Sequence, residues 1–270
     1  MHPPVFPLGG RAIRALVCDL DGVVYRGPSA VPFAVDVLRR VGVPVVYATH
    51  NASRTPAEVV AKLRGLGLDV SVEQVVTSAQ AGAAALARRC PGGRVLAVGG
   101  EGVGRALVEV GLVPVTHADE VDAVLQGYGP AVCAADLGQV AYAVAEGAWW
   151  VATNTDASIP DDRGVVPGNG ALVGAVEMAL GRGPDRVVGK PHPDLYLLAV
   201  ERLGVPAEHI LAVGDRLDTD IEGAVTAGLP AALVLTGVDS RDRALAAPES
   251  RRPDLVLEDL RGLRDVVSMS

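Results

Sequence analysis

The sequence has few cysteines and no long apolar run, and each shortage excludes a class of protein. The 270 residues contain no stretch of about 18 or more apolar residues, so the sequence predicts no membrane-spanning helix. Cys18, Cys90 and Cys133 are too widely spaced to form a zinc-binding pattern or a disulfide framework. Residues 1–10 lack the charged and apolar regions of a signal peptide, so we expect a cytoplasmic location.

Basic charge is also in short supply. The formal net charge is -8, which excludes nonspecific binding to nucleic acid or to anionic membranes, because such binding needs a basic face. Hydrophobic residues make up 49% and charged residues 21% of the chain, as in a globular protein. The length predicts about two domains. Because the net charge is negative, an anionic partner would have to be attracted by a local positive group.

Lysine is scarce, and its positions are informative. The chain has 24 lysines and arginines, but only Lys62 and Lys190 are lysines. Lys190 stands in the sequence Gly-Lys-Pro after a short apolar run, at a predicted strand end. Lysine offers a compact point charge on a flexible stem, which suits a single phosphate oxygen. We therefore expect Lys190 to be functional and Lys62 to lie on a solvated helix face.

Two aspartates stand one residue apart where an apolar run meets a glycine. Asp19 and Asp21 follow the apolar residues 16–18, which predict a buried strand, and Gly22 predicts its exit turn. If the backbone stays extended, both carboxylates point the same way and repel unless a cation or a phosphoryl group neutralises them. Two surface aspartates in a turn remain an alternative explanation of this short pattern.

Polar residues follow three other predicted strands in the same way. Thr49, His50 and Asn51 follow one apolar run, Lys190 follows a second, and Asp215 begins the acidic segment after a third. In open parallel α/β sheets, ligands bind at the carboxyl ends of the strands. Four such strand ends in one chain predict a binding site at that edge of a sheet.

These segments resemble the four motifs of the haloacid dehalogenase superfamily, whose members are aspartate-nucleophile hydrolases. The resemblance is closer to its NagD-type branch, which includes p-nitrophenyl-phosphatases, phosphoglycolate phosphatases and pyridoxal-phosphate phosphatases. The segments that carry it are Asp19-Leu20-Asp21-Gly22, Thr49, Ala152–Asp156, Pro167–Leu172, Gly189–Pro193 and Gly214–Ile221.

The resemblance implies a catalytic role for each motif. Asp19 would attack phosphorus and form an aspartyl-phosphate, and Asp21 would act as general acid and then as general base. Thr49 would hold the phosphate. Lys190 would neutralise the nucleophile and a phosphate oxygen.

The resemblance also implies Mg²⁺ as the cofactor. The ion would be held by the carboxylates of Asp19 and Asp215 and by the backbone carbonyl of Asp21. Asp220 would support the metal through water or orient its neighbours. Magnesium takes oxygen ligands and shares phosphate oxygens, which is consistent with this set.

Five further residues are candidates for binding substrate or phosphate. The family often has Thr-Asn-Asn in its second motif, whereas this chain has His50 between Thr49 and Asn51. His50 could replace an amide hydrogen bond, face away or add a titrating group. Gly22 belongs to the first motif. Asn154 and Asp156 follow a predicted strand and could reach substrate or form a turn.

Alternating strands and helices predict an α/β fold, with a doubly wound parallel sheet resembling the Rossmann-like core of this superfamily and an inserted α/β cap. The predicted core comprises residues 1–80 and 183–270, and the predicted cap comprises residues 81–182. Predicted core strands cover 14–19, 43–48, 74–77, 186–189, 209–213, 231–236 and 254–257. Predicted cap strands cover 94–99, 121–128 and 148–153, and predicted cap helices cover 102–110, 136–146 and 170–180.

The chain is accordingly predicted to be a magnesium-dependent phosphatase of small phosphate monoesters. The cap resembles actinobacterial-type glycerol-phosphate phosphatases, which favours glycerol 3-phosphate or 2-phosphoglycolate. Pyridoxal phosphate, nucleoside monophosphates and sugar phosphates remain open as substrates. A phosphomutase and a non-enzymatic phosphoacceptor are the alternatives, and a homodimer through the cap is a further prediction.

Overall fold

A computed structural model describes residues 12–161 and 163–267 of the chain. The prediction about residues 1–10 therefore lies outside the described residues. The described residues fall into two compact units. Unit 1 takes its residues from Met1–Thr49, Val59–Val76 and Lys190–Ser270, and unit 2 from His50–Glu58 and Thr77–Gly189.

The strands and helices alternate along most of the chain. The strands are β1 (Ala15–Cys18), β2 (Tyr25–Arg26), β3 (Ser29–Ala30), β4 (Val45–Thr49), β5 (Val75–Thr77), β6 (Arg94–Val98), β7 (Val113–Val115), β8 (Ala123–Gln126), β9 (Trp149–Ala152), β10 (Ser158–Asp161), β11 (Gly164–Pro167), β12 (Arg186–Val187), β13 (Ile210–Gly214), β14 (Ala231–Val234) and β15 (Leu255–Leu257). The helices are α1 (Ala34–Leu38), α2 (Pro56–Gly65), α3 (Ser78–Arg89), α4 (Glu101–Glu109), α5 (Ala134–Ala145), α6 (Asn169–Leu180), α7 (Asp194–Leu203), α8 (Glu222–Thr226) and α9 (Arg241–Leu245). Short 3₁₀ turns cover Val72–Gln74, Ala207–His209, Glu249–Arg251 and Leu260–Asp265, and a π-helical turn covers Leu217–Ile221.

Within the described residues, the larger sheet has six strands in the order β15-β14-β13-β1-β4-β5. Strand β1 lies at its centre and pairs in parallel with β13 and with β4, so that Cys18 is opposite Val213 and Tyr47. The residues of β1 are all buried, as expected of a parallel strand covered on both faces. This arrangement confirms the predicted doubly wound parallel sheet.

Successive residues of the central strands pack into different hydrophobic layers. Leu16 and Cys18 lie in one cluster with residues of α1 and α2, whereas Ala15 and Val17 lie in another with residues of α7, α8 and α9. The alternation follows from the two-residue period of a strand. The sheet therefore has helices on both faces, and its core fixes the strand ends that carry the polar segments.

Unit 2 has its own sheet. Its described strands run in the order β12-β9-β8-β6-β7, and each neighbouring pair of strands is parallel. Helices α5 and α6 pack on one face of this sheet, around the buried side chain of Trp150. The hairpin of β10 and β11 adds a separate antiparallel pair.

One strand was predicted in the wrong sheet. Residues 186–189 were predicted as a core strand, but Arg186 and Val187 pair with Val151 and Ala152 of β9 in unit 2. The structural boundaries are also not those predicted for the cap, because residues 50–58 group with residues 77–189. No helix among the described residues is both long and apolar enough to span a bilayer.

Candidate active site

Three neighbouring strands place polar residues at one edge of the larger sheet. Asp19 follows β1, Thr49 ends β4, and Asp215 follows β13. Because β1 lies between β13 and β4 in a parallel sheet, these residues share the carboxyl edge. Asp19, Thr49 and Asp215 are buried despite their polarity. The site is thus positioned by three fully buried strands of unit 1.

Lys190 is the centre of the site's hydrogen bonding. Its side chain is fully buried and donates to Asp19 Oδ1, to Asp220 Oδ1 (2.7 Å) and to the carbonyl of Ala48 (3.2 Å). Burial alone would lower the pKa of Lys190, but the carboxylates of Asp19 and Asp220 outweigh it and raise the pKa well above its ordinary value. Lys190 is therefore an ammonium that neutralises part of a buried acidic cluster.

Asp220 is held by hydrogen bonds on both carboxylate oxygens. Oδ1 accepts from Lys190, and Oδ2 accepts the N–H groups of Asp215 (3.2 Å) and Arg216 (3.1 Å). A Cβ on Gly214 would lie 2.1 Å from the Cβ of Asp220, so only glycine permits this approach. Asp220 therefore orients Lys190 and the start of the segment that carries Asp215.

The carboxylate of Asp215 sits in a narrow backbone cradle. A Cβ built on Gly22 would lie 2.3 Å from Asp215 Oδ2, and one on Gly237 would lie 1.8 Å from it. The N–H of Val238 donates to the same oxygen at 2.9 Å. Burial, followed by the charges of Asp220 and Asp19, raises the pKa of Asp215 to about 8. A neighbouring cation would favour the ionised carboxylate and so lower the pKa of Asp215.

The residues present fit a divalent metal ion. Asp19, Asp215 and Asp220 are buried, and each offers an oxygen within 4.8 Å of the others' oxygens. Lys190 pairs with Asp19 and Asp220, so one positive charge is set against three buried acidic groups. A divalent cation would offset the remaining negative charge and favour the ionised form of Asp215. A set of carboxylate oxygens suits Mg²⁺ or Ca²⁺ rather than a softer metal.

Asp21 is not part of this buried cluster. Its side chain is exposed, and β1 ends at Cys18, so the two aspartates do not extend from one regular strand. Gly22 follows with a φ of 83°, a left-handed conformation that favours glycine. The structure therefore separates a buried carboxylate, Asp19, from an exposed one, Asp21. This difference suits two distinct chemical roles.

The segment after Thr49 is tied into unit 2 by its backbone and side chains. His50 Nε2 lies 2.8 Å from Asp156 Oδ2, and the carbonyl of His50 accepts from Asn154 Nδ2 (2.9 Å) and Ser78 Oγ (2.7 Å). The side chain of Asn51 contacts a different serine, because its Oδ1 accepts hydrogen bonds from both the N–H and the hydroxyl of Ser53. His50, Asn154 and Asp156, predicted separately, are therefore brought together.

Asn154 acts locally on the backbone. It is buried, its Nδ2 donates to the carbonyl of His50, and its Oδ1 accepts the N–H of Asp156 at 3.2 Å. Its own carbonyl accepts from Asn169 Nδ2 at 2.7 Å. These contacts organise the loop that carries Asp156.

Sequence reasoning missed the segment that follows β14. Thr236 Oγ1 donates to the carbonyl of Gly22 at 2.7 Å, and Asp239 Oδ2 accepts the N–H of Leu217 at 2.7 Å. The sequence signal was present, because Thr236 and Gly237 follow a buried strand just as the four motifs do. Tyr196, also missed, donates its hydroxyl to the carbonyl of Asp220 at 3.0 Å.

Comparison with known families and proteins gives matches over most of the chain. The family described as haloacid dehalogenase-like hydrolase matches residues 16–113, and the family described as HAD-hydrolase-like matches residues 187–263. A D-glycerol 3-phosphate phosphatase of Mycobacterium tuberculosis is 47% identical over 250 residues, which cover 92% of this chain and 70% of that protein. An acid sugar phosphatase of Staphylococcus aureus is 38% identical over 84% of this chain and 88% of its own length.

The similarity extends to solved structures. The crystal structure of a glycerol phosphate phosphatase from Mycobacterium tuberculosis in complex with magnesium superimposes with a TM-score of 0.89 at 46% identity. The match covers 94% of this chain and 78% of that one.

Proposed function

Since the chain belongs to the haloacid dehalogenase-like hydrolases, we propose that it is a magnesium-dependent phosphatase that hydrolyses small phosphate monoesters through an aspartyl-phosphate on Asp19. One observation carries the proposal. The buried ammonium of Lys190 bridges Asp19 and Asp220 beside Asp215, at the carboxyl edge of the sheet. This cluster provides a nucleophile, a counter-charge and a set of metal ligands in one place.

The nucleophile is Asp19. A carboxylate oxygen of Asp19 attacks the phosphorus, and the bond between phosphorus and the ester oxygen breaks. Lys190 holds Asp19 in place and offsets the negative charge of the incoming phosphate. Thr49, at the end of the neighbouring strand β4, supplies a hydroxyl for a phosphate oxygen.

The acid and base are one residue. Asp21 gives its proton to the departing alkoxide and then takes a proton from the water that attacks the phosphorus of the aspartyl-phosphate. That second attack breaks the bond to Asp19 and releases inorganic phosphate. The exposed position of Asp21 allows it to meet the leaving group and then water.

The metal site uses residues already fixed by the fold. The carboxylates of Asp19 and Asp215 and the carbonyl of Asp21 would hold Mg²⁺, and Asp220 would orient Lys190 and the backbone beside Asp215. The bound ion would neutralise phosphate oxygens and lower the repulsion between substrate and carboxylates. The relative crystallised with magnesium supports this choice of ion.

Glycerol 3-phosphate is the first candidate substrate, and 2-phosphoglycolate is the second. The 47% identity with a D-glycerol 3-phosphate phosphatase supports the former, and the acid sugar phosphatase supports small phosphorylated metabolites in general. We further propose that unit 2 is the cap that selects the leaving group, with His50, Asn154 and Asp156 in its loops. A homodimer through the cap remains a prediction.

Phosphate release from a panel of esters tests the function. The panel contains both enantiomers of glycerol 3-phosphate, 2-phosphoglycolate, pyridoxal phosphate, a nucleoside monophosphate and a sugar phosphate, each with Mg²⁺ and with chelator. We expect metal-dependent release that Asp19→Asn abolishes and that a matched change at the exposed Asp69, Asp69→Asn, leaves intact.

The same assay contains the contradicting outcomes. Release that survives in Asp19→Asn excludes the proposed nucleophile. Interconversion of phosphate positions without release favours a phosphomutase, and a stable phosphorylated protein without turnover favours a phosphoacceptor. Acid quenching followed by mass spectrometry identifies whether the phosphoryl group is on the peptide that contains Asp19.

A further inference from the structure

The segment Thr236–Asp239 contacts two functional loops of unit 1 at once. It follows β14, the strand beside β13, and therefore reaches the same carboxyl edge of the sheet as Asp215. None of its residues belongs to the four motifs. Its contacts run to Gly22, beside Asp21, on one side and to residues 215–217 on the other.

The contacts with Asp215 are made by the backbone of the segment. The N–H of Val238 donates to Asp215 Oδ2, and the N–H of Asp239 donates to the carbonyl of Asp215 at 3.1 Å. The backbone at Gly237 packs so closely that a Cβ there would lie 2.2 Å from the Cβ of Asp215. The segment therefore fixes both the side chain and the main chain of this proposed metal ligand.

The side chains of the segment hold the flanking loops. Thr236 Oγ1 donates to the carbonyl of Gly22 at 2.7 Å. Asp239 is buried, accepts the N–H of Leu217 with Oδ2 and forms an ion pair with Arg243 of α9 through Oδ1. Burial of an unpaired carboxylate costs free energy. Here the contacts of Asp239 join α9 to the Asp215–Leu217 loop.

We infer that Thr236 and Asp239 are positioning residues that set the affinity of the site for Mg²⁺ by holding the Asp19–Gly22 and Asp215–Leu217 loops at a fixed separation. The inference rests on the proposed metal-dependent function. Neither residue touches the substrate or the metal in this scheme. Their loss lets the ligands separate and weakens metal binding, while the chemistry at saturating metal stays close to normal.

Magnesium titration of the metal-free protein by isothermal titration calorimetry, without substrate, tests the inference. Thr236→Val keeps the shape of the side chain and removes only its hydrogen bond. We expect the Kd for Mg²⁺ to rise about five-fold, which is about 1 kcal/mol at about 1.4 kcal/mol per ten-fold change. Asp239→Asn removes the charge that pairs with Arg243, and we expect a rise at least as large.

A matched control separates positioning from general stability. Thr226 in α8 donates its hydroxyl to the carbonyl of Glu222 at 2.7 Å on an exposed face. Thr226→Val removes a hydrogen bond of the same kind and should leave the Kd for Mg²⁺ unchanged. In activity assays, a higher Mg²⁺ concentration should restore the kcat of Thr236→Val.

The outcomes distinguish this inference from the proposed function. Unchanged Mg²⁺ affinity in both Thr236→Val and Asp239→Asn overturns the inference, even if the wild type hydrolyses phosphate esters. If the Kd for Mg²⁺ rises in both variants but the wild type releases no phosphate from any ester, the inference is supported and the proposed function is contradicted.

Discussion

Removal of the Lys190 ammonium should destabilise the protein strongly. The Lys190 side chain has no exposed surface, and its Nζ donates to Asp19, Asp220 and the carbonyl of Ala48. In Lys190→Met, a side chain of similar length leaves two buried carboxylates without their counter-charge. Breaking a buried ion pair on one side typically costs about 3–5 kcal/mol, because the remaining charge is uncompensated. We expect a loss of that size and no phosphatase activity.

Urea unfolding in the presence of chelator measures this loss without a contribution from bound metal. Lys62→Met is the matched control, because Lys62 is the only other lysine of the sequence. Its Nζ lies over the ring of Tyr25, 3.3 Å from the ring centroid. A cation–π contact of this kind is worth about 0.5–1 kcal/mol. Lys190→Met should therefore be several-fold more destabilising than Lys62→Met.

A double variant tests the electrostatic cause directly. Lys190→Met/Asp220→Asn removes one of the two stranded charges, so it should be more stable than Lys190→Met alone. Lys190→Arg keeps the charge but places a planar guanidinium where a point charge binds three oxygens, and it should lose most activity. Equal stability of Lys190→Met and Lys62→Met would refute the reasoning.

Two further changes have defined outcomes. Gly22→Ala should raise the Mg²⁺ concentration for half-maximal phosphate release by more than about ten-fold, because the added Cβ would displace Asp215. Gly27→Ala is the control, because Gly27 also has a positive φ (54°) but a Cβ there would meet no atom within 4 Å, so this Mg²⁺ concentration should not change. Hydrogen bonds from the Thr55 backbone and hydroxyl lower the pKa of Glu58 from 4.5. The stability that Glu58 contributes is therefore present above its unfolded-state pKa and lost as the pH falls through its lowered folded-state pKa. Urea unfolding should show Glu58→Gln to be less stable than wild type near neutral pH and equal to it in acid below that pKa, and a difference that persists in acid would contradict this.

The strands of the core could be predicted because burial on both faces leaves a clear apolar pattern. Residues 14–19, 209–213 and 254–257 were predicted as strands and contain β1, most of β13 and β15. Helix α2 begins directly after Thr55, a residue type that favours helix starts, and the Thr55 hydroxyl accepts the N–H of Glu58 there.

The choice of sheet could not be predicted from the same pattern. Residues 186–189 are apolar and precede Lys190, but the period of a strand does not specify its neighbour, and β12 pairs with β9. The hairpin of β10 and β11 was missed because Pro160 and Pro167 weaken a strand prediction.

The residues of the site also divide into those that the sequence predicts and those that only the fold defines. Asp19, Asp215, Asp220 and Lys190 were all predicted, and the structure brings them together; their catalytic and metal-binding roles remain proposals. The expected convergence of Asp19 with Asp21 assumed an extended backbone, whereas β1 ends at Cys18. Asp239 could not be found from sequence, because its partners Leu217 and Arg243 are defined only by the fold.

The central position of β1 determines when the site can form during synthesis. Ala15 lies opposite Ile210, so the edge that carries Asp19 is incomplete until β13, in the last third of the chain, has left the ribosome. The sheet of unit 2 uses strands that lie between Arg94 and Val187, and all of them are synthesised before β13. Domains generally fold as units as they emerge, and long-range parallel pairing is slow. A nascent chain of this protein would thus carry a folded insert well before it carries a working catalytic edge.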